Sequence, residues 1–193
     1  MTERVALVAS NVAFVQQGIA LVEAIDDAAF VRTAAPMYTS GVGPHLRHCV
    51  DHYASFLLGY RDGAIDYDAR GRDAAVETDR AAARRALDRV LDGLSGVTAD
   101  DLSRAVRIAY ECSPWEDDAL VAAATHERAN DSCASNVGRE LMFLVSHTVH
   151  HYALIAQILR HQAIEVPRGF CIAPSTLSHR RRLAESRLAA APF

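Results

Sequence analysis

Four segments of the chain carry apolar side chains at the three- and four-residue spacing of an amphipathic helix. They lie at residues 9–27, from Pro44 to about Arg61, at 79–94, and from Ser135 or Asn136 to about His161. Pro44 suits a first helical turn, Asp79 can cap the third segment, and Ser135 or Asn136 can cap the fourth. The chain has 193 residues, half of them hydrophobic, which is enough for one sizeable core. The pattern predicts an all-α protein, a single domain over residues 1–193 that folds as an antiparallel four-helix bundle.

Two parts of the chain depart from the helical period. Apolar residues alternate with others over 106–110, and residues 120–127 could pair back on them after a turn. This predicts a small β-hairpin between the third and fourth helices, although the Ala-rich second half is equally compatible with a helix. Residues 63–78 are predicted to form a polar loop. A tail from about 166 to 193 contains a short amphipathic helix at 175–189.

Composition limits the classes of partner that we expect. The net charge is −4, so the chain lacks the broad basic surface of a nucleic-acid-binding protein, and the short HRRR run at 179–182 is expected to be a solvated helix face. Four distant cysteines without a CxxC pair indicate reduced thiols in a cytoplasmic protein. The longest apolar run, around 12–25, is interrupted by Gln16, Gln17 and Glu23, so no membrane span is expected.

Histidines are concentrated in two of the predicted helices. Six of the nine lie in two short windows, as His45, His48, His52, His147, His150 and His151. His147 and His151 are four residues apart on the flank of an apolar stripe, so their rings can reach one metal ion. Two core-edge histidines, each hydrogen-bonded to a neighbour, are the alternative.

The second helix offers three candidates for a further ligand. The helical wheel places His45, His48 and His52 beside the apolar stripe and does not choose among them, with His48 nearest to the polar face. Three imidazoles and an open position are the ligand count of a catalytic metal site rather than a structural one.

The segments GVGPHLRHCVDHYASFL at 41–57 and RELMFLVSHTVHHYALIAQILR at 139–160 resemble the DinB-like, or DinB/YfiT-like, superfamily of proposed metalloenzymes. These proteins are four-helix bundles that bind a divalent metal through one histidine on the second helix and an HxxxH pair on the fourth. The resemblance assigns His48, three residues before Asp51, and the pair His147 and His151 as metal ligands. It extends to about residue 165, and the β-hairpin and the tail depart from it.

The resemblance also implies a chemistry. Zn²⁺ is the default metal for imidazole nitrogens, with Ni, Fe or Co also suitable. Family members include transferases and isomerases that use low-molecular-weight thiols such as mycothiol or bacillithiol. We therefore expect a metal-dependent transferase that uses such a thiol, or a hydrolase that activates water, acting on a small molecule as a homodimer. The alternative is a non-catalytic helical bundle that binds a metal or small ligand.

Four further residues are candidates for the site. Glu140, seven residues before His147 on the same stripe, could lie above the metal as an acid or base, and Asp51 could orient a ligand imidazole. Arg70 and Arg72, in the loop after the second helix, could hold an anionic thiol or substrate.

Overall fold

Most of the described chain is helical. The computed structural model describes residues 6–109, 132–167 and 169–189. Its long helices are α1 (Ala6–Ala24), α3 (Val42–Gly59), α5 (Arg80–Ser95) and α6 (Val137–His161). The others are the short helices α2 (Asp27–Val31) and α4 (Ala74–Thr78), a 3-10 turn at Asp100–Ser103, and α7 (Pro174–Ala189), which follows α6 and is as long as α5 but largely exposed.

The four long helices confirm the periodicity prediction, with ends displaced by up to three residues. Two predicted caps are also confirmed: the Asp79 side chain accepts a hydrogen bond from the backbone N–H of Ala81, and the Asn136 side chain accepts one from that of Arg139. Helix α3 begins at Val42, two residues before Pro44. A proline is tolerated there because the N–H groups of a first turn have no partner within the helix.

The long helices pack around one core. Helix α3 packs against both α5 and α6, and α1 packs against the same two helices. Each contributes fully buried side chains, among them Leu21, Leu46, Phe56, Leu94, Leu141, Leu144, Tyr152 and Ile155. Burying one such side chain stabilises the fold by about 1.5–3 kcal/mol. This packing fixes α3 beside α6.

Helix α1 is long and apolar enough, by length and composition, to cross a membrane. A core helix of a soluble protein meets the same test. In the structure, Val8, Phe14, Val15 and Leu21 of α1 are buried, and the phenolic hydroxyl of Tyr152 on α6 donates a hydrogen bond to the carbonyl of Phe14. The expectation that the protein has no membrane span stays a prediction.

A three-stranded sheet accompanies the helices. Strand β1 (Ala64–Asp66) pairs in parallel with β2 (Ala105–Ala109), which pairs antiparallel with β3 (Ser132–Asn136). The predicted first strand is thus confirmed over 105–109, whereas its predicted partner at 120–127 lies outside the described residues. Strand β3 was not predicted. It runs directly into α6, since its last residue is also the N-cap of that helix.

The segment 63–78 is not the polar loop that its composition predicts. It contains β1 and α4, and the side chains of Ile65 and Tyr67 are buried in the core. The tail helix was predicted at 175–189 and is found as α7, but its residues from Pro174 to Ser186 are exposed except for the half-buried Leu177.

Candidate metal centre

Five histidines from α3 and α6 converge between the two helices. The ring centroid of His48 lies 4.9 Å from that of His147 and 4.5 Å from that of His151, and the latter two rings are 4.6 Å apart. The three residues assigned as ligands by the resemblance are therefore neighbours. His52 and His45 extend the group on either side, with centroids 4.1 Å from His147 and 5.4 Å from His151 respectively.

A second trio overlaps the first. One nitrogen each from His48, His52 and His147 lies within 4.8 Å of the other two. Nitrogens bound to one Zn²⁺ at about 2.0–2.1 Å lie about 3.4 Å apart in tetrahedral geometry, so small side-chain rotations would bring this trio onto a cation. His48 and His147 belong to both trios, and His151 and His52 compete for the third place.

Hydrogen bonding fixes the tautomer of His52. Its Nδ1 lies 2.9 Å from the backbone carbonyl oxygen of His48, and a carbonyl only accepts, so Nδ1 carries the proton. The lone pair of the neutral ring is therefore on Nε2. Arg70 donates to that atom from Nη1 at 3.3 Å, which places its guanidinium at the edge of the cluster.

A second hydrogen-bonded chain reaches His151. Its Nδ1 lies 3.1 Å from Nδ1 of His45, whose Nε2 lies 3.0 Å from the hydroxyl oxygen of Ser40. If the His45 Nε2–H donates to Ser40, then His45 Nδ1 accepts from the His151 Nδ1–H, and His151 keeps its Nε2 lone pair. Metal-ligating histidines usually donate their other ring N–H in this way. The opposite direction would place a proton on His151 Nε2 and prevent binding there.

His147 supplies the observation that tests whether a metal fits. Its Nε2 is buried and has no hydrogen-bond partner among the described residues. An unpaired buried polar atom costs about 1–3 kcal/mol, which a bound cation would remove. Neutral imidazole nitrogens are also suitable ligands for Zn²⁺, Ni²⁺, Fe²⁺ and Co²⁺. The donor set therefore fits a divalent cation.

Burial keeps these rings neutral. It lowers the pKa of His48 and of His147 to about 3, and that of His151 to about 4, with neighbouring histidines adding to the effect. Burial lowers the pKa of His45 and of His52 in the same direction. A metal binds the neutral imidazole and not the imidazolium ion. At a pH near neutral, protons therefore do not compete with a metal for these nitrogens.

Glu140 does not lie in the imidazole cluster. Its buried carboxylate accepts hydrogen bonds from the hydroxyls of Tyr67, at 2.9 Å, and Ser135. It is linked to the cluster through Tyr67, whose ring stacks on that of His52 with centroids 5.3 Å apart. Arg139 provides a second link, since its guanidinium lies 3.5 Å from the Glu140 carboxylate and over the ring of Phe143. Sequence reasoning missed Tyr67 and also Phe143, whose ring lies 5.3 Å from that of His147. The position of Phe143, four residues before His147, was the available signal for it.

Asp51 contacts an arginine rather than an imidazole, and Arg72 lies outside the cluster. The buried Asp51 carboxylate accepts from Arg47 Nη1 at 2.9 Å, and Arg47 also pairs with Glu77. Among the described contacts, Asp51 makes no hydrogen bond to an imidazole. Arg72 is exposed and has no hydrogen bond or ion pair with the described residues, so of the two predicted arginines only Arg70 contacts the cluster.

Part of the chain is similar to a known protein. No family model and no solved structure matches the chain. The chain is similar to FK506-binding protein 5 of Rhizopus delemar, with 33% identity over 119 residues. The similar stretch is 60% of this chain and 27% of that protein, so the chain spans about a quarter of that relative's length. The DinB-like resemblance therefore stays a prediction.

Proposed function

We propose that the protein is a divalent-metal-dependent enzyme of the DinB-like type. In this proposal α1, α3, α5 and α6 form its four-helix bundle, and one cation is bound between α3 and α6. The pairwise packing of the long helices supports the bundle. The observation that carries the metal site is the convergence of His48 with His147 and His151, together with the buried, unpartnered Nε2 of His147.

His48, His147 and His151 are the proposed ligands. His52 Nε2 already accepts a hydrogen bond from Arg70, and the guanidinium charge opposes a cation at that nitrogen. His151 has a hydrogen-bonded partner in His45, which can fix its orientation. Zn²⁺ is the default occupant, with Ni, Fe or Co as alternatives.

The side chains around these nitrogens suit an electrophilic site. When bound, a divalent cation would lower the pKa of a coordinated water or thiol. The ligand imidazoles are neutral and therefore leave its charge undiminished. The rings of Tyr67 and Phe143 pack against His52 and His147 and limit water on that side. We propose transfer to or from a low-molecular-weight thiol, or hydrolysis of a small molecule, as the reaction class.

A non-catalytic metal-binding protein is the second candidate. Five imidazoles in one cluster are enough to fill the four positions of a tetrahedral cation, as a storage or sensing site would require. The relative from Rhizopus delemar does not alter either proposal, because the similar stretch is a minor part of that protein and its printed name describes the whole.

Elemental analysis of the protein, purified without added metal and then loaded with Zn²⁺, tests the site. We expect one ion per chain, lost in the His48→Ala, His147→Ala and His151→Ala variants. His161→Ala is the matched control, since His161 is an exposed histidine on the same helix. Full metal occupancy of His147→Ala would contradict the proposed site. Retention by His151→Ala with loss by His52→Ala would replace His151 by His52 in the ligand set.

An activity screen with thiol cofactors separates the two candidate functions. Turnover that disappears in His147→Ala and not in His161→Ala supports the enzyme. The non-catalytic site is supported if the protein binds one metal ion per chain and no added thiol or anion binds to that metal.

A further inference from the structure

Arg70 is the one arginine that touches the cluster in the described part of the chain. Its Nη1 donates to His52 Nε2 at 3.3 Å, and the His52 ring lies 4.1 Å from His147 and 4.4 Å from His48. The guanidinium is therefore one imidazole away from the proposed cation. Its charge also contributes to the lowered pKa values of His48, His52 and His147.

Two buried carboxylates near the cluster are already paired with other described residues. Asp51 is paired with Arg47, and the Glu140 carboxylate is held by Tyr67 and Ser135. Asp51 and Asp68 both act electrostatically on His52 in the direction opposite to Arg70, Asp51 more strongly. Arg70 and a divalent cation would both attract an anionic ligand in a site of reduced dielectric.

Arg70 also has unused hydrogen-bonding capacity. A guanidinium carries five N–H groups, and the described residues accept a single hydrogen bond from this one, through Nη1. Its Nε is buried and has no hydrogen-bond partner among them. Neighbouring loop residues, including Gly71 and Arg72, are exposed, and a side chain added at Gly71 would meet nothing within 4 Å. Four of the five N–H groups of Arg70 are therefore not engaged by the described residues.

We propose that the site takes a small molecule bearing a carboxylate, which Arg70 binds beside the metal position. This inference rests on the proposed metal function and adds the class of its substrate. A guanidinium matches the two oxygens of a carboxylate with two parallel N–H groups. Arg70 is the one arginine described at the cluster and the imidazole N–H of His52 is committed to a backbone carbonyl, so a dianionic phosphate would find a single charged donor beside the metal position. These features favour the carboxylate.

Co²⁺-loaded protein provides a test that does not depend on activity. The visible absorption of Co²⁺ changes when a ligand binds at or beside the metal. Acetate is the probe, and acetamide, which has the same shape but is neutral, is the control. We expect saturable spectral change with acetate and none with acetamide. The Arg70→Met variant should raise the acetate midpoint by about 10- to 100-fold, the value of a lost charge-assisted hydrogen bond. Arg72→Met should leave the midpoint unchanged, since Arg72 is in the same loop but is exposed and has no polar contact with the described residues.

The outcomes separate this inference from the metal site itself. An acetate midpoint equal in wild type and Arg70→Met, with Co²⁺ bound in both, overturns the carboxylate site and leaves the metal site standing. Tighter binding of inorganic phosphate than of acetate overturns the choice of carboxylate. Failure of Co²⁺ to bind removes both proposals. Matched circular dichroism spectra of the two arginine variants exclude misfolding as the cause of a weaker midpoint.

Discussion

Acidification should destabilise the metal-free protein, because its clustered imidazoles have lower pKa values in the folded state than in the unfolded chain. The pKa of His48 and of His147 is lowered to about 3 and that of His151 to about 4, first of all by burial. In an unfolded chain the value is about 6.5. Between these limits the unfolded state binds more protons, so stability is complete above about pH 6.5 and falls as the pH decreases.

The size of the loss follows from these shifts. Each of the three groups costs at most about 2 kcal/mol on going from about pH 6.5 to about pH 5, at about 1.4 kcal/mol per unit. The rings are only half-buried, so solvent screening removes about half of this. We expect a total loss of about 3 kcal/mol, which is a large part of the roughly 5–15 kcal/mol that stabilises a typical domain.

Urea unfolding at neutral pH and near pH 5, followed by circular dichroism with a chelator present, measures this loss. Glutamine cannot take up a proton in this range, so a His48→Gln, His147→Gln double variant should lose distinctly less stability than wild type, with the remaining loss coming from His45, His52 and His151. His161→Gln should behave like wild type, since that residue is exposed. A free energy of unfolding that stays constant for wild type between the two conditions would refute the conclusion that burial holds these rings neutral.

Three further perturbations follow from individual contacts. Replacing His45 by alanine should weaken Zn²⁺ binding by about 10- to 100-fold, because the hydrogen bond that orients His151 is lost. An unchanged Zn²⁺ affinity, measured by chelator competition, would show that His45 does not orient His151. Tyr53→Phe removes a hydroxyl that donates to the buried Asn11 and should cost about 1–3 kcal/mol in urea unfolding, with no measurable loss as the contrary result. Gly43→Ala would press Cβ into the backbone carbonyl of Glu77 and should cost about 2–4 kcal/mol, seen as a lower melting temperature; an unchanged melting temperature would show that α4 moves freely.

The sequence predicted the long helices well because their signal is local. An apolar stripe repeats over four or five turns and is closed by caps such as Asp79 and Asn136, so neighbouring residues suffice to define it. The short elements have no such signal. Strand β1 is three residues long and β3 reads SCASN, and each is stabilised by pairing with β2, which is distant in the chain.

The sequence predicted the site residues that share one helix better than it predicted contacts between helices, for a related reason. The i, i+4 spacing of His147 and His151 guarantees a shared face of one helix, and the structure keeps it. The wheel did not choose among the three candidates on the second helix and placed His48 nearest to the polar face. In the structure the His48 ring nevertheless lies beside those of His147 and His151, because a wheel ignores where two packed helices approach. Glu140 could have been placed correctly. Seven residues at 1.5 Å each separate it from His147 by about 10 Å along the axis, too far for a shared ligand position.

The direct passage from β3 into α6 sets the angular position of the helix that carries the HxxxH pair. Asn136 pairs with Ala105 and also caps the helix, so no connecting residue lies between the sheet and the first helical turn. One extra residue at this junction would turn His147 and His151 by about 100° and carry them away from His48. Chains that share this centre should therefore tolerate no insertion or deletion between Asn136 and His147, however much their other connections vary in length.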